Sequence, residues 1–152
     1  MNELCLYAIA RFMPFVETEE FANVGVVLFA PAQRYFGFQL LADAPQRITQ
    51  FFATLQAPVF QRAMHDLREE LERLPPLFAQ RDATAGMALW QELIKPKSSQ
   101  IRFSTERIVL TNRPAEQLPQ LYGRYVTHSP LPVQPPSNPG ANPTPPNAIT
   151  TP

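Results

Sequence analysis

The stretch that decides the fold spans residues 24–41 and reads Val-Gly-Val-Val-Leu-Phe-Ala-Pro-Ala-Gln-Arg-Tyr-Phe-Gly-Phe-Gln-Leu-Leu. It holds two runs rich in apolar, β-branched and aromatic residues, at 24–29 and 35–41, around a short turn with Pro31. Two such runs around a turn predict an antiparallel hairpin. Upstream, residues 4–12 are a third apolar run that ends before a proline. We therefore expect the chain to open with a three-stranded antiparallel meander.

Helical signatures follow the meander. Asp43 is a suitable N-cap and Pro45 suits a first helical turn, which predicts a short helix over residues 45–55. Residues 58–74 place apolar side chains three and four positions apart, which predicts an amphipathic helix that the prolines at 75–76 end. Its apolar face consists of Phe60, Ala63, Met64, Leu67, Leu71 and Leu74.

The rest of the folded part contains both helices and strands. A third helix is expected over residues 84–94 and ends before a proline. Two short strands, 100–103 and 107–110, follow as a late pair, and Pro114 opens a last helix. The order strands, helices, strands, helix predicts an α+β domain with an antiparallel sheet and helices packed on one face.

Composition changes sharply near residue 128. From Pro130 to the last residue, 9 of 23 residues are proline, half of the 18 in the chain, and no charged residue follows Arg124. Such a segment buries too little apolar surface to offset its ordering entropy. We expect an α+β domain over residues 1–127 and a disordered, proline-rich tail over residues 128–152.

The composition excludes several classes of protein. A formal net charge of zero does not fit a dedicated nucleic-acid binder, which needs a basic surplus to displace counterions. The one cysteine, Cys5, cannot form an internal disulfide or a zinc ribbon. The chain starts without a signal-peptide pattern and has no apolar run long enough to cross a membrane. We therefore expect a soluble, cytoplasmic protein.

No catalytic or cofactor-binding motif is present. The sequence contains neither a glycine-rich phosphate loop nor a nucleophile elbow. His65 with Glu69 and Glu72 offers half of a metal site on one helix, but no second helix supplies a matching histidine. We expect no catalytic residue, no metal and no cofactor.

Two blocks of sequence resemble a bacterial family. The opening pattern is Tyr7-x-x-x-Arg-Phe-x-Pro14 followed by Glu20-Phe-Ala-Asn-Val-Gly-Val-Val-Leu-Phe29, and the closing pattern includes Ile101-Arg-Phe-Ser104 and Leu121-Tyr-x-x-Tyr-Val126. Both resemble the domain of unknown function 3037 family. The resemblance implies a protein of bacteria and their mobile elements, encoded beside kinase-like proteins of the HipA type. It therefore implies a regulator of another, kinase-like protein in a phage-defence or toxin–antitoxin module.

The first candidate site lies where the first two strands join. Arg11, Glu19, Glu20 and Asn23 cluster in sequence there, and Gly25 leaves room for a neighbour. Arg11 is expected to pair with Glu20, because antiparallel strands bring their linked ends together. One interpretation is a polar site for a phosphate, a nucleotide or a partner's carboxylate. The other is a structural corner that sets the strand register.

Arg102 and Arg107, on the late strands, form the second candidate site. Residues 95–124 contain six basic and two acidic side chains, a local charge of +4, whereas residues 1–94 carry seven and eleven, or −4. Such a basic region suits an acidic partner or a nucleic-acid backbone. An ordinary solvated surface is the alternative interpretation.

These observations lead to one functional hypothesis and two alternatives. The hypothesis is a small, non-catalytic protein-binding domain, with Arg11, Glu19, Glu20, Asn23, Arg102 and Arg107 as its contact surface. The first alternative is a nucleotide- or nucleic-acid-binding enzyme that clamps phosphates with the arginines and uses Glu19 or Glu20 as base or metal ligand. The second is a homo-oligomer that pairs through the strand at residues 35–41.

Overall fold

The computed structural model describes residues 2–42, 46–52, 54–97 and 99–128. These residues form a five-stranded antiparallel sheet with helices packed against it, so the predicted α+β class is confirmed. The predicted cap at Asp43 and first turn at Pro45 lie outside the described residues. So does the predicted tail, apart from its first residue, His128.

The predicted meander forms the larger part of the sheet. Strands β1 (Glu3–Phe12), β2 (Ala22–Ala30) and β3 (Tyr35–Leu40) pair in antiparallel fashion in the order β3-β2-β1. Two short 3-10 turns, Val16–Thr18 and Pro31–Gln33, connect them. β1 is therefore an inner strand whose other edge is open to further pairing.

That edge is taken by the two late strands, β4 (Ile101–Phe103) and β5 (Arg107–Thr111). Both are present as predicted, but each pairs with β1 rather than with the other, so they lie end to end along it. The buried Ser104 explains this arrangement. Its backbone N–H donates to the Ile9 carbonyl and its Oγ accepts from the Ile9 N–H, both at 2.9 Å, so the chain stays on β1 between the strands.

The larger helical layer covers one face of the sheet. It comprises α1 (Gln46–Phe51), α2 (Ala57–Glu72), α3 (Leu74–Ala79) and α4 (Ala83–Ile94). Its core joins even-numbered residues of β1 to the helices; the largest buried side chains are Phe12, Phe29, Phe78 and Trp90. This layer contains three of the predicted helices.

The other face is covered as well, which corrects the expectation of helices on one face only. Helix α5 (Pro114–Tyr122) and a π-helical turn (Gly123–Thr127) pack there through Leu118, Leu121 and Val126. The physical reason lies in β1, where every residue from 5 to 10 is buried. A strand with an unbroken buried run needs cover on both faces.

The amphipathic helix ends before the prolines at 75–76 as predicted, but a further helix that the sequence pattern did not predict, α3, begins there. Helix α2 ends at Glu72, and Pro75 and Pro76 occupy the first turn of α3, which buries Phe78. Proline is tolerated in a first turn because the N–H it lacks has no partner within the helix there. Within the described part of the chain, no helix is long and apolar enough to cross a membrane.

Candidate functional site

One side of β1 gathers arginines from three other parts of the chain. Side chains alternate between the faces of a strand, so Tyr7 and Arg11 point to the same side, that of α5. Arg102 in β4 is the direct partner of Arg11, and Arg107 in β5 is the direct partner of Tyr7. Directly opposed residues share a face. We call Arg11, Arg102, Arg107 and the nearby Arg124 the arginine face.

Arg11 and Arg102 are directly opposed residues of neighbouring antiparallel strands. Side chains directly opposite each other in antiparallel strands have Cβ atoms about 4.5–5.5 Å apart, and like charges there are destabilising. Arg102 directs its Nε to the carbonyl oxygen of Ser99, at 3.2 Å, which satisfies one donor but neutralises no charge. The register therefore places two cationic residues at opposed positions, and no ion pair among the described residues includes either of them.

The guanidinium group of Arg11 is partly withdrawn from water. Its Cζ lies 4.4 Å from the centroid of the Phe21 ring, a cation–π contact. Its Nε is buried and has no hydrogen-bond acceptor among the described residues. Burial, and secondarily the positive charge of Arg107, lower the pKa of Arg11 below its usual value. Burial and Arg107 thus disfavour the charge of Arg11, whereas the Phe21 ring favours it.

Tyrosines 7 and 125 join the arginine face to the C-terminal turn. Their hydroxyl oxygens are 3.1 Å apart, at hydrogen-bonding distance. The guanidinium carbons of Arg107 and Arg124 lie 5.3 and 5.6 Å from the centroid of the Tyr125 ring. Tyr125 is therefore contacted by two cations and one hydroxyl.

The pKa values of the two tyrosines are shifted in opposite directions. Burial, and then the hydrogen bond with Tyr125, raise the pKa of Tyr7. The hydrogen bond from Tyr7, helped by Arg107 and Arg124, lowers the pKa of Tyr125 against the effect of its burial. The Tyr7 hydroxyl accordingly acts as the donor when Tyr125 ionises.

Asn23 positions this turn. It is the β2 partner of Arg11, next to a β-bulge that shifts the register between Ala10 and Arg11. Its Nδ2 donates to the carbonyl oxygen of Tyr125, at 3.0 Å, which ties the π-helical turn to β2. Gly25 was expected to leave room for a neighbour, and a Cβ there would lie 2.9 Å from the carbonyl oxygen of Gln39 in β3.

The two glutamates of the first predicted cluster lie away from the arginines. Glu19 and Glu20 are exposed in the β1–β2 connection, where Glu19 has a left-handed backbone with φ 58°. The expected Arg11–Glu20 ion pair does not form among the described residues. The turn directs both carboxylates to solvent, and Arg11 packs on Phe21 instead.

The structure therefore merges parts of two predicted sites. Arg11 and Asn23 from the first join Arg102 and Arg107 from the second, across about 90 residues of sequence. Sequence reasoning missed three members of the site: Tyr7, Arg124 and Tyr125. Tyr7 carried a signal, because it stands four residues before Arg11 on an expected strand and so shares its side.

A shallow cavity lies beside Arg11. Its lining includes Phe21, Asn23, Phe51 and His128. Phe21 and Phe51 are exposed, at 38% and 57%, so the cavity places aromatic surface next to a cation. The arginine face is therefore bordered by an apolar contact area.

The histidine considered as half of a metal site remains a surface residue. His65, Asp66 and Glu69 have potential ligand atoms within 4.8 Å of one another, and all three are exposed. His65 Nε2 lies 3.3 Å from a Glu69 carboxylate oxygen, one helical turn away. Exposed helix faces often carry such groups without binding an ion, and this one is remote from the arginine face.

A known family model covers most of these residues. The family described as "Protein of unknown function (DUF3037)" matches residues 7–126. The chain belongs to this family. No curated protein and no solved structure matches the chain. The matched range of the DUF3037 domain runs from β1 to the π-helical turn and contains the whole arginine face.

The guanidinium groups on the arginine face of this DUF3037 domain are suited to contacts with anions. A guanidinium group presents several N–H donors in a planar fork that matches carboxylate or phosphate oxygens, and it stays protonated at neutral pH. It is thus a poor general acid or base. The hydroxyls of Tyr7 and Tyr125 add further donors beside the cations.

Proposed function

We propose that this DUF3037 domain is a non-catalytic binding module that docks an acidic segment of another protein on the arginine face. The observation that carries the proposal is Arg11 directly opposite Arg102, with the Nε of Arg11 buried and lacking an acceptor in the described part of the chain. Like charges at opposed positions disfavour folding, and a buried N–H without an acceptor adds a desolvation penalty. Carboxylates from a partner would relieve both effects.

We place this interaction in the bacterial cytoplasm, within a phage-defence or toxin–antitoxin module, with a kinase-like protein as the partner. The resemblance that the sequence bears to its family supports this setting. The role that follows is regulatory, since the domain would occupy a surface of its partner rather than transform a substrate.

The alternative of an enzyme acting on nucleotides or nucleic acid has less support. It requires a carboxylate beside the arginines to serve as base or metal ligand. Glu19 and Glu20 were the candidates, and both are exposed in a connection without an ion pair to Arg11 among the described residues.

The test is binding of a labelled synthetic peptide rich in Asp and Glu to the full chain, followed by fluorescence anisotropy at low salt. Arg102→Gln and Arg107→Gln each remove one charge from the arginine face. Arg62→Gln removes the same charge from an exposed position of α2, in the layer on the other face of the sheet, and is the matched control. A single-stranded oligonucleotide serves as a second probe.

We expect each face variant to weaken peptide binding about tenfold, since a charge-assisted hydrogen bond contributes about 1.5–3 kcal/mol. The control should bind as the natural chain does. Failure of the natural chain to bind the peptide, or an equal loss in Arg62→Gln, would refute the proposal. Binding of the oligonucleotide but not of the peptide would favour the nucleic-acid alternative.

A further inference from the structure

Strand β5 leaves an apolar surface uncovered on the sheet face opposite the arginine face. Ile108 and Leu110 are each 61% exposed, and Leu4, the direct β1 partner of Leu110, is 48% exposed. We call Leu4, Ile108 and Leu110 the edge patch. Leu6, the partner of Ile108, belongs to the core beneath the helices. The edge patch therefore continues the core face beyond the helical layer.

The same strand is an edge of the sheet. Among the described residues, β5 pairs with β1 on one side and with no strand on the other. Its sequence, Arg107-Ile-Val-Leu-Thr111, contains no proline, and its outward apolar residues are not interrupted by lysine. Proline and lysine are among the residues by which natural edge strands avoid pairing with another strand. The opposite edge, β3, differs, because α3 and α5 contact it and Phe36 and Leu40 are buried.

At this edge one face of the sheet is apolar and the other is positively charged. The edge patch lies on one side, and Arg107 lies on the other, within the arginine face. Further along the same edge, Arg102 of β4 also belongs to that face. Glu3 is at the opposite end, as the partner of Thr111, so the positive charge is concentrated where β5 meets β4.

We propose that the acidic segment of the partner protein binds as an added β-strand along β5, with acidic side chains toward the arginine face and aliphatic side chains on the edge patch. A strand added to a sheet edge alternates its side chains between the two faces. The segment that fits here alternates acidic with aliphatic residues. This inference rests on the proposed function, because it specifies how the acidic segment binds.

The experiment compares two synthetic peptides of the same composition on the full chain. In one, Glu and Val alternate; in the other, all Glu precede all Val. A third peptide carries the alternating sequence with N-methylated backbone amides, which cannot donate to a strand. The protein variants are Ile108→Thr and Leu110→Thr, which keep β-propensity at exposed positions, together with Arg102→Gln and the control Arg62→Gln.

We expect the alternating peptide to bind at least about tenfold more tightly than the other two peptides. Each threonine variant should weaken binding of the alternating peptide about fivefold, because it removes the contribution of a few buried methylenes. If both orders bind equally and the threonine variants change nothing, the added strand is wrong while the proposed function stands. If no peptide binds at low salt, the proposed function fails as well.

Light scattering tests the other occupants of this edge. A second copy of the chain paired through β5 would give a dimer that Leu110→Thr dissociates and that competes with the peptide, and this result would overturn the proposal. A monomer that binds the alternating peptide with one-to-one stoichiometry supports it. Removal of residues 129–152 should leave binding unchanged; a gain would identify that segment as the natural occupant and would also overturn the proposal.

Discussion

The hydroxyl oxygens of Tyr7 and Tyr125 lie 3.1 Å apart although the residues are separated by 118 positions in the sequence. This contact joins the first strand to the last turn of the described chain. Asn23 reinforces it by donating to the carbonyl oxygen of Tyr125. The arrangement of the arginine face therefore depends on both ends of the domain.

The first prediction concerns the ionisation of this pair. The pKa of Tyr125 is lowered from 10.0, chiefly because the Tyr7 hydroxyl donates to the phenolate. Tyr7→Phe removes that donor, so the pKa of Tyr125 should rise. Absorbance at the phenolate band during a pH titration measures it. Tyr35, whose pKa is raised by burial, provides an internal control that should not change. An unchanged or lower Tyr125 pKa in Tyr7→Phe would contradict the assigned donor.

The second prediction is that Arg102→Gln stabilises the protein while it weakens peptide binding. The substitution removes the charge directly opposite Arg11, and opposed like charges cost up to about 1 kcal/mol. The free energy of unfolding should rise by about 0.5 kcal/mol at low salt. Denaturant titration followed by the fluorescence of Trp90, the only tryptophan and fully buried, gives this value.

High salt should reduce this gain, because it screens the repulsion. The control Arg62→Gln should leave stability within about 0.5 kcal/mol of the natural chain, as exposed substitutions generally do. A loss of stability in Arg102→Gln would mean that its bond to Ser99 outweighs the repulsion from Arg11.

The third prediction concerns the break between β4 and β5. Ser104→Ala leaves the buried N–H of Ile9 without its acceptor. A buried donor without a partner costs about 1–3 kcal/mol, so the unfolding free energy should fall by that amount. Thr105→Ala, at the adjacent exposed position, is the control and should have little effect. Equal stability of the two variants would show that Ser104 does not hold the chain on β1.

The fourth prediction concerns Gly25. A Cβ at this position would lie 2.5 Å from Leu40 Cδ2 and 2.9 Å from the Gln39 carbonyl oxygen, closer than atoms approach without displacement. Gly25→Ala should lower the unfolding free energy by about 1–3 kcal/mol. The double variant with Leu40→Ala relieves the side-chain contact but not the backbone one, so it should not be more stable than Gly25→Ala. Full recovery in the double variant would contradict this account.

The local parts of the fold were predictable. The meander follows from apolar runs separated by short turns, and α4 from its spacing and the proline after it. Helix α3 was missed because Pro75 and Pro76 end one helix and begin another, and the sequence pattern of the two roles is the same. Tyr7 and Ile9 indicated that helices would pack on both faces of the sheet. A strand with one solvent-exposed face does not require apolar residues at those positions.

The site was predictable only in pieces. Arg11 and Arg102 were each identified from their surroundings, but their pairing depends on the register of strands about 90 residues apart, which no local pattern specifies. The expected partner of Arg11 was a near neighbour in sequence, Glu20. The connection between β1 and β2 turns that carboxylate outward, and the cation contacts Phe21 instead.

The cover that α5 and the π-helical turn provide has a consequence for synthesis of the protein. A ribosome that has released the chain only as far as α4 has made the meander and the larger helical layer, but not β4, β5 or Tyr125. At that stage the residues of α5 and the π-helical turn that pack with Tyr7 and Ile9 do not yet exist, nor do three of the four arginines of the face. If the proposed function holds, the complete binding face therefore arises only with the final quarter of the folded domain.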